Sequence, residues 1–157
     1  MTTYVLTLYL HSYLRWALIA LLLLVLSRAS LALSSKRSWS RLDELAHVAL
    51  LKTAYVQFLL GLILYLYSSP YTSAFLRDPT SAIHQPALRF FGLLHIGGMF
   101  AAVGLLHEGR KASLRAPTLR SRFRRVAITT LLALLAICAA MPWPIFDYGR
   151  PLLRRFG

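Results

Sequence analysis

The chain is 157 residues long, the length of one domain, and it is 57% hydrophobic with only 15% charged residues and a formal net charge of +13. Five acidic residues against eighteen Lys and Arg exclude the mixed-sign surface of an ordinary soluble domain. A nucleic-acid-binding fold is excluded as well, because the basic residues lie between long apolar runs, as in loops at an anionic membrane surface, rather than on one face. Cys138 stands alone, so no intrachain disulfide can form, and there is no Cys-x-x-Cys-His for covalent haem attachment.

Crossing the hydrocarbon layer takes about 20 mostly apolar residues in helical form. The first run to meet that length extends from about Tyr4 to Leu26 and closes at Ser27-Arg28. It has no basic leader and no clean small-residue cleavage site, so it reads as a span rather than a removable signal. The second run extends from about Ala46 to Tyr67 and ends at Ser68-Ser69-Pro70. The next loop, Ser68 to Ala87, carries Pro70, Pro79 and Pro86 and is expected to cap the mouth of a bundle. The third run covers about Leu88 to Leu106 and closes at Glu108-Gly109-Arg110. A basic loop with Pro117 leads to the fourth run, about Val126 to Phe146, which ends around Pro142-Trp143-Pro144. Open backbone finds no partner in lipid, so these runs predict helices and not strands. The expected fold is all-α, a single domain over residues 1–157 built as a four-helix transmembrane bundle.

Lys and Arg counts set the expected orientation. Arg28, Lys36, Arg37 and Arg41 in the first loop, with Arg110, Lys111, Arg115, Arg120, Arg122, Arg124 and Arg125 in the third, put eleven on one side. Arg77, Arg89, Arg150, Arg154 and Arg155 put five on the other. Both termini are therefore expected on the non-cytoplasmic side of a bacterial inner membrane, with the three tail arginines against headgroups or a partner subunit.

Ionisable groups within a span are costly and mark function. His11 and Arg15 lie in the first run and His95 in the third. Each histidine lies seven residues into its run, about 10 Å deep at 1.5 Å per residue, and both runs enter from the same side. Neighbouring helices pack 8–10 Å apart, so diagonal partners stand roughly 12–14 Å apart. Two imidazoles facing each other over that distance leave room for one haem iron with both axial positions filled. Gly92 and Gly98 flank His95 on its own helix face and would leave space for a flat macrocycle. Arg89, nearer the surface, is a candidate partner for propionates, and Arg15 for a propionate or a quinone oxygen. The same residues admit plainer readings: glycines for close helix packing, His11 with Arg15 as a structural polar cluster, and Arg15 snorkelling to the interface. His47 and His107 fall at the cytoplasmic boundary beside acidic residues, where solvated side chains are expected, and His84 has no evident partner.

Several short motifs resemble a family of small bacterial four-helix membrane proteins described as cytochrome b-like. They are His11-Ser12-x-x-Arg15-Trp16, Gln57-x-x-x-Gly61-Leu62-x-Leu64-Tyr65, Arg89-Phe90-Phe91-x-x-x-His95 and Pro142-Trp143-Pro144, spread over most of the chain. The resemblance implies haem binding or electron transfer. The chain departs from the family at Tyr55, where members often carry a histidine, and at Leu94, where they often carry a glutamate. Retention of His11 and His95 favours these two as the essential pair. The expected function is a membrane b-type cytochrome or haem-bearing electron-transfer subunit, with haem b held by His11 and His95. A quinone-binding subunit and a cofactor-free accessory subunit of a larger respiratory or photosynthetic complex are the alternatives. The expected partners are the lipid bilayer and other membrane redox subunits.

Overall fold

The computed structural model describes residues 3–35 and 37–153; Lys36, Arg154 and Arg155, which enter the charge count above, lie outside them. The described residues form six helices and no strand. Their order is α1 (Thr3–Ser35), α2 (Arg41–Ser68), α3 (Pro70–Arg77), α4 (Pro79–Ala82), α5 (Pro86–Leu114) and α6 (Leu119–Ala139). Three of them, α1, α2 and α5, are long and apolar enough to cross a membrane.

The start of each element is written in its local sequence. Ser40 caps α2 through a reciprocal pair in which the Asp43 N–H donates to Ser40 Oγ and the Ser40 N–H to Asp43 Oδ2. Thr118 caps α6 by accepting from the Ser121 N–H. Pro70, Pro79 and Pro86 occupy the first turns of α3, α4 and α5, where a missing N–H costs nothing.

The inward residues of the four long helices keep a seven-residue rhythm. α1 buries Leu18, Leu22, Val25, Ala29 and Ala32; α2 buries Asp43, Ala46, His47, Leu50, Ala54 and Gln57. α5 buries Ala102, Leu106, Gly109 and Ser113, and α6 buries Phe123, Val126, Thr130, Ala133 and Ile137. Alternating steps of three and four are the spacing of helices that pack at small crossing angles over a continuous seam. Accordingly α1 packs on α2 and α6, and α5 packs on α6 and α2, which leaves α1 and α5 facing each other across the middle. Outside this seam the surface is apolar: Leu10, Leu23, Leu31, Leu59, Phe100 and Leu135 are each at least half exposed. A patch of that extent is what hydrocarbon solvates and water does not.

The fourth apolar run differs from expectation. It is helical only to Ala139 rather than to about Phe146. The helical apolar stretch from Val126 is therefore about 21 Å long at 1.5 Å per residue, shorter than the ~30 Å hydrocarbon layer. Beyond it the chain turns back and satisfies its own backbone. Trp143 Nε1 donates to the Cys138 carbonyl, the Gly149 N–H to Phe146 and the Arg150 N–H to Pro142.

Ion pairs fasten the opposite end. Asp43, 5% exposed, accepts from Arg28 at 2.9 Å and Arg37 at 2.5 Å. Glu44 accepts from Arg110, from Arg122 at 3.0 Å and from Trp39 Nε1 at 3.1 Å. Arg122 also lies over the Trp39 ring at 3.8 Å. One polar knot thus joins the ends of α1, α2, α5 and α6.

Candidate cofactor site

A cavity of about 140 Å3, open to water-sized molecules, lies between the long helices at the end away from the ion pairs. His11 enters it from α1 and His95 from α5, with ring centroids 6.3 Å apart and ring planes at 73°. The structure brings together the two histidines that depth alone pairs in the sequence.

Each ring is held by its surroundings. The last turn before His95, Phe90–Leu94, is a π-turn, which inserts one extra residue and so rotates the helix beyond it. Phe90 and Phe91 pack on the His95 ring at 5.9 and 6.2 Å. Nδ1 of His95 lies 2.7 Å from the Ala140 carbonyl. A carbonyl only accepts, so that nitrogen carries the proton and Nε2 of the neutral ring is a bare electron pair. Fixing the tautomer through the distal nitrogen is how metal-ligating histidines are commonly oriented. His11 leans on Gly61 of α2, where a Cβ would stand 3.0 Å from its Cε1. Its backbone carbonyl accepts from Gln57 Nε2 at 2.9 Å, while buried His11 Nδ1 and Gln57 Oε1 have no hydrogen-bond partner among the described residues. Gly61 and Gln57 belong to the site as surely as the histidines do; their only sequence signal is the motif on α2.

The other predicted site residues are placed differently. Arg15 lines the cavity, and its guanidinium donates to the Leu152 carbonyl at 2.9 Å and lies 5.3 Å from the Trp16 ring. Trp16 Nε1 donates to the same carbonyl at 3.0 Å, so both residues hold the C-terminal segment against α1. Tyr55 pairs with His107 Nδ1 at 2.5 Å. Arg89 is exposed, reaches only the Ile83 carbonyl at 3.4 Å and does not line the cavity. Gly92 and Gly98 leave no room for a ligand: a Cβ at Gly92 would strike the Phe75 ring of α3, and one at Gly98 the Cβ of Ala140. Both glycines serve close packing. His47 is not solvated as expected but 2% exposed against Trp39, with ring centroids 6.3 Å apart. His107 and His84 are exposed.

Two imidazoles alone are a poor cage for a bare ion, and among the described residues no group of three His, Cys, Asp or Glu side chains could hold one. A macrocycle that brings four nitrogens of its own would need only two further donors, which His11 and His95 could supply. The 6.3 Å between the two ring centroids leaves room for one metal ion between the imidazoles, at bond lengths of about 2.0 Å to each. Comparison with known protein families, with curated proteins and with solved structures finds no match.

Proposed function

We propose that the protein is a membrane b-type cytochrome, or a haem-bearing subunit of an electron-transfer assembly, with one haem b between His11 and His95. The observation that carries this reading is the pair of rings 6.3 Å apart across an apolar cavity, one of them tied through Nδ1 to the Ala140 carbonyl. Haem supplies reversible one-electron chemistry, and the apolar surround with two imidazole ligands sets its potential. The residues around it orient His95 and position His11 against Gly61. In this reading α1, α2, α5 and α6 form a four-helix bundle across the bacterial inner membrane, with both termini on the non-cytoplasmic side.

The test is an absorption spectrum of the purified protein. A Soret band with sharp reduced α and β bands is expected, and it should disappear in His11→Ala and His95→Ala while membrane levels of the protein hold. A spectrum without these bands overturns the reading. A quinone is the second reading, favoured by two buried atoms beside the cavity without hydrogen-bond partners among the described residues: His11 Nδ1, which in its protonated tautomer donates to a quinone carbonyl, and Gln57 Oε1, which accepts from the O–H of the quinol. Extraction of a bound quinone from a haem-free preparation would decide for it.

A further inference from the structure

The segment after α6 brings a cation to the cavity that the histidine pair does not explain. Arg150 lines the cavity with its guanidinium over Tyr71 at 4.6 Å and Phe91 at 5.2 Å. Stacking occupies the faces of a guanidinium, while its N–H donors lie in the plane and stay available. Among the described residues the ion pairs are made by Arg28, Arg37, Arg110, Arg122, Lys111 and His107, so no described carboxylate neutralises Arg150. Its position is specified rather than incidental. The Arg150 N–H donates to the Pro142 carbonyl at 3.0 Å. At Gly149 a Cβ would strike the carbonyl oxygens of Trp143 and Phe146, so the turn leading to Arg150 admits only glycine in this form. Phe91 neighbours both Arg150 and His95, its ring centroid 5.2 Å from the guanidinium and 6.2 Å from the imidazole. A single ligand at His95 with an acidic group at its edge can therefore reach the guanidinium.

We propose that Arg150 binds an anionic carboxylate of the cavity ligand, so that the C-terminal segment forms one wall of the site. This rests on the haem reading, in which the carboxylate is a propionate. The segment would then contribute twice, through the Ala140 carbonyl that orients His95 and through the cation that receives the propionate. Charge-assisted, bidentate pairing of this kind is the geometry for which arginine is suited.

The experiment compares haem with haem dimethyl ester, which keeps the iron and macrocycle but lacks the acids. Protein produced without haem is titrated with each in detergent, and the Soret and α bands are recorded. The wild type should prefer the free acid by about tenfold, the order of one charge-assisted hydrogen bond. Arg150→Gln should reduce that preference to less than about twofold with the bis-imidazole spectrum intact, and Arg150→Lys should keep most of it. Monodisperse elution of each variant establishes that it is folded. If Arg150→Gln discriminates as the wild type does, or the wild type binds both forms equally, the Arg150 assignment is overturned and the haem reading stands. If neither form produces a Soret band in the wild type, the haem reading fails and the assignment fails with it.

Discussion

Gly61 controls how His11 can sit. The imidazole occupies the place where a side chain on α2 would go, with Cε1 only 3.0 Å from a Cβ built there. Valine at that position would push the ring toward the cavity axis and off its line with His95. Gly61→Val is expected to lower haem content at least several-fold in protein that still reaches the membrane, measured as haem per mole of purified chain. Gly61→Ala should have a milder effect, because only one methyl must be accommodated. Haem content unchanged in Gly61→Val would mean that contact with α2 does not fix the ring. At this scale the histidine pair is legible in the sequence, since an ionisable residue within an apolar run stands out against its neighbours. For Gly92 and Gly98 the sequence leaves close packing and ligand space as alternatives, and only the fold decides between them. What fills the space above a glycine is decided by segments distant in sequence, here Phe75 and Ala140. Arg150 is hidden for the same reason, because only the fold of the tail carries it to the cavity.

Helix–helix contact is set by the seams, and small residues mark where backbones come closest. Gly109 of α5 lies against Thr129 of α6, where a Cβ would strike the Thr129 side chain. Gly109→Leu should therefore part the two helices and lower stability by about 1–3 kcal/mol, the usual cost of overpacking, visible as a lower melting temperature in detergent. An unchanged melting temperature would show that this end of the α5–α6 pair is loosely packed. The existence of the long helices can be read from the sequence because apolar length is a direct signature. The end of the fourth cannot: hydropathy is the same for a helix that continues to Phe146 and for a chain that stops at Ala139 and folds back. Which of the two forms depends on partners such as the Cys138 and Pro142 carbonyls, which only the folded chain supplies. The prolines of the loop between α2 and α5 do announce a cap, and α3 within it contributes Phe75 to the packing around Gly92.

Over the whole molecule the two ends are chemically unlike. One holds the cavity, the aromatic cluster and the C-terminal segment; the other holds the ion-pair knot around Asp43 and Glu44. Removing the charge of Asp43 leaves Arg28 and Arg37 without their counter-ion and weakens the half of the cap in which the Ser40 N–H donates to Asp43 Oδ2. Loss of one partner from a buried pair costs about 3–5 kcal/mol; both arginines are partly exposed, so Asp43→Asn is expected to cost less, about 2–3 kcal/mol. Thermal unfolding in detergent measures it. Haem content of the folded fraction should not change, because the knot and the cavity lie at opposite ends.

That polarity also fixes the expected orientation in the membrane. Arg115, Arg120 and Arg124 are exposed at the knotted end, where the basic loops cluster, and loop cations of this density are retained on the cytoplasmic side. Asp147, in the segment after α6, is exposed at the cavity end. With Cys138 replaced by Ala, single cysteines are introduced as Arg120→Cys and Asp147→Cys. A membrane-impermeant thiol reagent applied to spheroplasts should label the Asp147→Cys protein directly and the Arg120→Cys protein only after lysis. The reverse pattern would turn the molecule over and put the cavity mouth in the cytoplasm. His11 and His95 would still share one depth in that case, because both line the cavity at the same end of the bundle, so the pairing would survive and only the side of the membrane on which it lies would change.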